Sequence, residues 1–290
     1  MKRILVTGAN KGIGLASVQA MLEQHREAAV ILCARDPARG RAAVQSLLAI
    51  NADFDSRLQS LQLDVTDPVS VTAASEQVAA GGPLYGLVNN AGVGLGSDDL
   101  AGVLAVNTYG VKRVCDAFLT LLEPGGRLVN VSSASGPKFV EQCSAERRAF
   151  FMDGTLEWSV IEDLMEAAIE AGNDAARLQE LGLGNGGAYG LSKACVSLYT
   201  LVLAREHPEL VINACTPGYI ETDLTRPQAK LRGATPADLG MKPPREGTRA
   251  ILHLLFGQPH GSGHYYGSDG LRSPLDRYRA PGSPEYTGEN

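Results

Sequence analysis

The sequence predicts an α/β fold in which a doubly wound parallel sheet of about seven strands carries helices on both faces. Short apolar runs alternate with helical patterns along most of the 290 residues, and the connections between them are short. Runs that are apolar throughout, such as 4–6, are typical of parallel strands buried on both faces. Asp36–Pro37 and Asp67–Pro68 each follow a predicted strand and open a helix, because aspartate caps a helix and proline fits its first turn.

Predicted strands and predicted helices alternate along most of the chain. The strands are predicted at 4–6, 29–33, 57–63, 84–88, 127–132, 211–215 and 263–266. The helices include 12–27, one opening at Asp36–Pro37, one from 67 to about 80, and a long one over 98–122 that Pro124-Gly125-Gly126 ends.

Two stretches interrupt this alternation within a single predicted domain of 1–290. No strand is evident from about 137 to 186, yet a structureless loop of that length is rare in a compact domain. A helical insertion is therefore predicted there: 147–151 contribute to one helix, and an amphipathic helix contains Leu156, Val160, Ile161, Leu164, Met165, Ala168 and Ile169. The tail, 271–290, is rich in Pro, Gly, Ser and charge and is predicted to be loosely ordered, with Tyr278 and Tyr286 as possible anchors.

Composition argues against several classes of function. A net charge of -6 and no basic run argue against a general affinity for nucleic acid. Five scattered cysteines without Cys-x-x-Cys suit reduced thiols in a cytoplasmic protein. Five histidines show no metal-ligand spacing, so no metal site is predicted. The chain reaches Gly8 too soon for a signal peptide, and no apolar run approaches membrane-spanning length.

A glycine-rich segment follows the first predicted strand and opens the first helix. Gly8, Gly12 and Gly14 are spaced Gly-x-x-x-Gly-x-Gly. Glycines there let the backbone approach a pyrophosphate, and the helix N-terminus favours its negative charge. A lone glycine cluster can be a tight turn, but its place in a strand–turn–helix unit predicts a dinucleotide site.

The end of the second strand distinguishes between dinucleotides. An acid there binds the ribose 2′-hydroxyl of NAD, whereas an arginine accommodates the 2′-phosphate of NADP. Ala34 occupies the acidic position and Arg35 follows it, so NADP(H) is predicted, with Lys11 as a second positive charge. The alternative is that Asp36 is the NAD-type acid, although Pro37 favours a helix cap for it.

The third and fourth strands also end in residues placed for a ligand. Asp64 and Val65 close the third and are placed to reach an adenine, while Asn89-Asn90-Ala91-Gly92 closes the fourth. Ligands bind at these carboxyl ends in open α/β sheets. Asn89 or Asn90 could equally be a turn residue.

Tyr189 and Lys193 are four residues apart, so in a helix both side chains leave the same face. A phenol has an ordinary pKa of about 10, and a neighbouring ammonium lowers that pKa. The pair therefore predicts reversible proton transfer at a carbonyl or alcohol oxygen. Taken alone, it could also be a tyrosine over a lysine stem on a surface helix.

Together these motifs, with Ser132-Ser133 ending a strand, resemble the short-chain dehydrogenase/reductase family from Ile4 to about Thr222. Within the family, the sequence is most similar to the monomeric NADPH-dependent carbonyl reductases. The phrases that carry this likeness are 7–15, 34–36, 127–133 and 213–218, and the long helical insertion adds to it.

The resemblance implies roles for four residues. Tyr189 would protonate the substrate oxygen, Lys193 would lower the tyrosine pKa and hold the nicotinamide ribose, and Ser133 would orient the substrate oxygen. Asn107 would hold a water in a proton relay to Lys193, while Ser132 faces away. The implied cofactor contacts are Gly8, Asn10, Lys11, Gly12, Ile13, Gly14, Arg35, Asp64, Val65, Asn90, Ala91, Gly92, Tyr189, Lys193, Pro217, Gly218 and Thr222.

The implied function is NADPH-dependent reduction of a small ketone, aldehyde or quinone. An apolar substrate is expected because the segments around 93–96 and 219–226 are mostly apolar or small. The alternatives are an alcohol or steroid dehydrogenase working in the oxidative direction and a non-catalytic NADP(H)-binding sensor. The insertion is expected to cover a surface that other members use for assembly, which predicts a monomer. Trp158, within the insertion, is assigned to core packing.

Overall fold

The structure, a computed structural model, describes residues 1–172, 174–184 and 187–288. Its strands form one sheet in the order β3-β2-β1-β4-β5-β6-β7-β8. Their bounds are β1 Lys2–Val6, β2 Ala28–Ala34, β3 Leu58–Gln62, β4 Leu84–Asn89, β5 Leu122–Val131, β6 Val211–Cys215, β7 His264–Tyr266 and β8 Arg272–Ser273. The first seven strands are parallel, and β8 runs antiparallel to β7. The predicted doubly wound sheet is confirmed, with one short strand more than expected.

Helices cover both faces of the sheet. They are α1 Gly12–Gln24, α2 Pro37–Ile50, α3 Pro68–Ala79, α4 Leu100–Asn107, α5 Tyr109–Phe118, α6 Ser135–Glu141, α7 Ala145–Met152, α8 Trp158–Ala171, α9 Ala175–Glu180, α10 Gly187–Glu206, α11 Arg226–Leu231 and α12 Arg249–Phe256. Alternate strand residues enter opposite cores, because side chains alternate across a sheet. Ile4 and Val6 pack with α1 and α12, whereas Leu5 lies in the core that also contains α5 and α10.

The two predicted aspartate caps are confirmed. The Asp36 carboxylate accepts from the backbone N–H groups of Ala38 and Arg39 at 2.8 and 3.2 Å. Asp67 accepts from the N–H of Val69 at 2.9 Å. Both helices therefore begin where the sequence predicts.

The predicted single helix over 98–122 is wrong, because the chain breaks it at Thr108. There φ is -121° and ψ is -59°, which separates α4 from α5. The Thr108 hydroxyl donates to the carbonyl of Ser192 on α10 at 3.2 Å. Threonine side chains can form hydrogen bonds with backbone groups and so compete with regular helix geometry. At Thr108 the hydrogen bond to α10 accompanies the break between α4 and α5. The break lies directly after Asn107.

The predicted helical insertion is confirmed as α6 to α9. Its amphipathic helix, α8, buries Ile161, Leu164, Met165 and Ala168 in the core that contains α10. The Trp158 ring lies edge-on to Tyr199 of α10, with ring centroids 4.9 Å apart. Trp158 therefore packs against the fold, as the sequence suggests.

The tail, expected from the sequence to be loosely ordered, makes several contacts with the rest of the fold. It opens with β8, and the N–H of Tyr286 donates to the carbonyl of Arg272 at 3.1 Å. Arg279 forms a bidentate ion pair with Asp269, with N–O distances of 3.0 and 2.9 Å. These contacts hold the tail against the end of the sheet. Their partners lie ten or more residues apart, so no local sequence pattern predicts them.

Among the described residues, one helix, α10, is long and apolar enough to cross a membrane by length and composition alone. Most of its apolar stretch, 78%, is buried inside the protein. The helix is the central helix of the core, and its apolar character follows from that position.

Candidate active site

Two adjoining cavities lie at the carboxyl edge of the sheet. The first, of about 510 Å³, is bounded by the glycine loop, the ends of β2, β3 and β4, and the segment that precedes α11. The second, of about 1030 Å³, lies between the ends of β5 and β6, α6, the start of α10 and the tail. Ile13, Thr222 and Leu224 line both cavities, so the two spaces meet there.

The glycine loop is fastened to the end of β4. The Thr7 hydroxyl accepts from the N–H groups of Asn90 and Ala91, both at 3.0 Å. The Asn90 amide donates to the carbonyls of Thr7 and Gly8 at 2.9 and 3.2 Å. A Cβ at Gly14 would lie 2.5 Å from the Asn90 amide nitrogen, so glycine is required for this close approach. Asn90 is therefore part of the loop's support.

The sequence leaves open whether Asn89 and Asn90 are turn residues or ligand contacts, and the structure places the two in different surroundings. Asn89 is 3% exposed, and its amide donates to the side chain of Asn130 on β5 at 2.9 Å. Asn90, in contrast, lines the first cavity together with Ala91 and Gly92. The predicted contact residues of this strand end thus lie at the cavity, while Asn89 lies in the core.

The far end of the first cavity is lined by Arg35, Asp36 and Arg39. Hydrogen bonds from the backbone of Arg39 and Ala38 lower the pKa of the Asp36 carboxyl. Because that carboxylate caps α2, the capping interpretation holds over the NAD-type one. Asp64 and Val65 line the same cavity. The Asp64 carboxylate accepts from the N–H and hydroxyl of Thr66 at 2.9 and 2.7 Å.

Lys11 lines this cavity but is paired across it. Its Nζ lies 2.7 Å from the carboxylate of Asp223, which also pairs with Arg226 at 2.8 Å. The predicted second positive charge is thus partly neutralised by an acid that the sequence reasoning did not consider. The other glycine-loop residues predicted as contacts, from Gly8 to Gly14, line the cavity as expected.

Tyr189 and Lys193 lie on the first turns of α10, and the Lys193 Nζ is 5.7 Å from the centre of the Tyr189 ring. Tyr189 lines the second cavity. Lys193 is 4% exposed and donates to the carbonyl of Val131 at 2.8 Å. Burial lowers the pKa of Lys193 to about 8.

The expected lowering of the Tyr189 pKa is not found, because burial dominates. Burial raises the pKa of Tyr189 to about 12, and a hydrogen bond with the Ser133 side chain opposes that rise. The phenol is therefore protonated throughout the neutral range. As an acid it carries the proton that reduction of a carbonyl requires.

The two adjacent serines face in different directions. The Ser132 hydroxyl lies 2.8 Å from that of Ser197 and donates to the carbonyl of Lys193 at 3.0 Å, so it ties β5 to α10. Ser133 lines the second cavity, and its hydroxyl accepts from the N–H of Ser135 at 3.1 Å. The structure thus brings Ser133 and Tyr189 together.

Asn107 lies behind the cavities and is fully buried. Its side chain accepts from the N–H of Val93 at 2.9 Å and donates to the carbonyl of Val93 at 3.0 Å. It also donates to the Ser192 hydroxyl at 3.0 Å. A Cβ at Gly92 would lie 3.5 Å from the Asn107 oxygen and 3.6 Å from the Lys193 Nζ. Asn107 and Lys193 therefore flank the same backbone position.

Pro217, Gly218 and Thr222 line the second cavity, so these predicted contacts lie beside Tyr189. Sequence reasoning missed Thr216, whose hydroxyl accepts from the N–H groups of Ala134 and Gly218, both at 3.2 Å. Its position directly before Pro217 was the available signal. Arg39 was also missed, although it follows the Asp36 cap by one turn.

Within the described part of the chain, no group of His, Cys, Asp or Glu side chains is arranged to hold a metal ion.

Comparisons with known proteins show which family the chain belongs to. A family model described as short chain dehydrogenase matches residues 2–145. Carbonyl reductase 3 of Mus musculus, an NADPH enzyme by its name, is 37% identical over 258 residues, which cover 83% of this chain and 91% of that protein. Salutaridine reductase from Papaver somniferum is 26% identical with a TM-score of 0.76, covering 92% of this chain and 99% of that structure. Menthone neomenthol reductase from Mentha piperita is 26% identical with a TM-score of 0.74, covering 92% and 98%. The chain therefore belongs to the short-chain dehydrogenase/reductase family.

Proposed function

We propose that this protein is an NADPH-dependent reductase that converts the carbonyl group of a small ketone, aldehyde or quinone into an alcohol, with Tyr189 as the general acid. The observation that carries the proposal is the position of Tyr189. Its phenol is protonated and forms a hydrogen bond with the Ser133 side chain. Tyr189 lines the second cavity, which meets the glycine-loop cavity. The names of the relatives, carbonyl reductase above all, support the same chemistry.

The first cavity fits an NADP-type dinucleotide. Gly8 and Gly12 have φ of +61° and +57°, which leaves the loop backbone open toward a pyrophosphate at the start of α1. Arg35 and Arg39 would hold the 2′-phosphate, and Asp64 with Val65 would contact the adenine. When bound, the cofactor supplies the hydride.

The chain's own residues supply the proton and the orientation. Ser133 would donate a hydrogen bond to the substrate oxygen, which fixes the carbonyl beside the Tyr189 hydroxyl. Tyr189 then transfers its proton to that oxygen as negative charge develops there. The buried Lys193 and Asn107 lie behind this point and would return a proton to the phenolate through water.

Part of the second cavity suits an apolar carbonyl compound. Its lining includes Leu95, Tyr219, Tyr265, Leu271 and Tyr278, beside charged side chains such as Lys138, Arg232 and Lys242. Apolar and aromatic side chains combined with polar groups that fix orientation are typical of small-molecule sites. Aromatic ketones, aromatic aldehydes and quinones therefore fit the proposed substrate class.

The experiment that tests the proposal is NADPH and NADH consumption against a panel of quinones, aromatic aldehydes and ketones. We expect turnover with NADPH and an alcohol or hydroquinone product. Tight NADPH binding without turnover of any panel member would contradict the proposal and favour a sensor role.

The cofactor preference should depend on Arg35. We expect Arg35→Ala to raise the KM for NADPH about tenfold or more, because a charged hydrogen bond to phosphate is lost. The KM for NADH should change little, since NADH lacks that phosphate. Arg26→Ala, an exposed arginine outside both cavities, is the matched control. An equal loss with both cofactors would contradict the assignment.

We also propose that the protein is a monomer in the cytoplasm. α6, α7 and α8 all pack on α10 and cover part of its surface. Light scattering should therefore give a mass near 30.6 kDa. A stable dimer or tetramer would contradict the idea that the insertion replaces an assembly surface.

A further inference from the structure

The C-terminal tail lines part of the substrate cavity. After β7 the chain turns through Gly267–Gly270 and returns as β8. Gly267, Ser268 and Asp269 of this turn line the second cavity. Tyr278, Arg279, Pro281 and Gly282 line it as well, although they lie about ten residues later. The turn and the tail thus form one continuous part of the cavity wall.

A buried ion pair joins these two pieces. The Arg279 guanidinium meets the Asp269 carboxylate with both of its terminal nitrogens, and the two side chains are only 6% and 13% exposed. The carboxylate also accepts from the N–H groups of Leu271 and Gly282 at 3.3 and 3.0 Å. All the partners lie in the turn or the tail, so this pair fastens the tail to the turn.

Arg279 also holds the chain that follows it. Its Nε donates to the carbonyl of Pro284 at 2.8 Å, and one terminal nitrogen donates to the carbonyl of Ser283. A guanidinium is suited to this work because its donors form a rigid planar fork. The fold of 279–284 is therefore built around one side chain.

Tyr278, the neighbour of Arg279, connects the tail to the catalytic side of the cavity. Its ring lies under the ammonium of Lys138, 4.4 Å from Nζ to the ring centre. Lys138 belongs to α6, which directly follows Ser133 and packs on the helix that carries Tyr189. The tail therefore spans the cavity and contacts the element next to the catalytic serine.

The wall keeps apolar surface open to the cavity. Tyr278 and Leu271 are 43% and 37% exposed, and Tyr219 on the facing segment is 37% exposed. Exposed apolar side chains gathered around a concave site mark a surface that an apolar ligand covers. A substrate whose carbonyl lies at Tyr189 can place its remote ring there.

We infer that the tail is the specificity-determining wall of the substrate cavity: Tyr278 contacts the part of an aromatic substrate remote from its carbonyl, and the Asp269–Arg279 pair holds Tyr278 in place. The inference rests on the proposed reductase function. It makes Arg279 a positioning residue, since it acts through Tyr278 and not on the reacting atoms.

The test compares a bulky aromatic ketone with a small aliphatic aldehyde in the full chain with NADPH. Tyr278→Ala and Arg279→Gln should each raise the KM for the aromatic ketone about tenfold, with kcat and the KM for the aldehyde changed less than about twofold. Arg26→Gln is the control, because this arginine is exposed and lines neither cavity. It should leave both substrates unaffected.

Tail position provides a second readout. Limited proteolysis should cut the tail faster in Arg279→Gln than in the unchanged chain, while Tyr278→Ala stays protected because its clamp is intact. A folded Tyr278→Ala with unaltered KM for the aromatic ketone would overturn the inference. Equal KM changes for both substrates would overturn it too. If the unchanged chain reduces neither substrate, the proposed function fails first, and the inference falls with it.

Discussion

Tyr189→Phe is expected to lower kcat for carbonyl reduction at least about a hundredfold, because general acid catalysis by a positioned side chain contributes about that much or more. The substitution removes one hydroxyl and keeps the ring. Most of the expected cofactor contacts lie in the glycine-loop cavity, which Tyr189 does not line, so the affinity for NADPH should change less than about twofold. Initial rates give kcat, and NADPH fluorescence titration gives the affinity.

The control for this variant is Tyr199→Phe on the same helix. Tyr199 is 1% exposed and packs against Trp158, away from both cavities. The same chemical change there should leave kcat within about twofold of the unchanged chain. A Tyr189→Phe enzyme that keeps more than about a tenth of the original kcat would show that another group donates the proton.

The pH profile of the unchanged enzyme should follow from the same group. Because the pKa of Tyr189 is raised to about 12, the phenol keeps its proton across the neutral range. Reduction needs that proton and should be insensitive to this group from pH 6 to 9. Oxidation of an alcohol needs the phenolate and should accelerate as pH rises. The two directions should therefore differ in their pH profiles.

Much of the fold followed from the sequence because its signals are local. Apolar runs such as the one around Ile4 mark strands buried on both faces, and Asp36 and Asp67 cap their helices with partners two or three residues away. The break at Thr108 had no such signal. It depends on a bond to α10, more than 80 residues later, and a window along the chain does not contain that partner.

The site shows the same division. Residues at strand ends, such as Arg35 and Asp64, line one cavity because parallel strands bring their carboxyl ends to one edge. The pairing of Lys11 with Asp223 was not foreseen, because two segments 212 residues apart meet there. The pKa of Tyr189 is raised where the sequence predicts that it is lowered. The spacing to Lys193 shows the neighbouring charge, whereas burial depends on all the residues packed around the phenol.

Lys193→Met is expected to lower kcat about a hundredfold, as loss of an acid–base partner does, and yet to stabilise the fold at pH 7. Burial lowers the pKa of Lys193 from its ordinary 10.5 to about 8, so the folded state disfavours the charged ammonium. That difference corresponds to at most about 3 kcal/mol. Methionine matches the stem and carries no charge, although it loses the bond to Val131. The expected net effect is therefore a smaller gain in the free energy of unfolding.

The pH dependence of stability tests whether the gain in Lys193→Met comes from removing the buried charge. Below pH 8 the folded and unfolded states both bind the Lys193 proton, and the folded state bears the whole cost of the buried charge. Between about 8 and 10.5 the folded state releases its proton first, so the unchanged chain gains stability as pH rises and the advantage of the variant shrinks. Urea unfolding at pH 7.0 and 9.5 measures the difference in the free energy of unfolding between the unchanged chain and Lys193→Met. The titration of cysteines and tyrosines, which both proteins contain, cancels in that difference. A gap that stays constant, or a variant less stable at pH 7, would mean that Lys193 contributes by packing. A closing gap together with lost turnover would mean that the fold retains a costly buried cation because the reaction requires it.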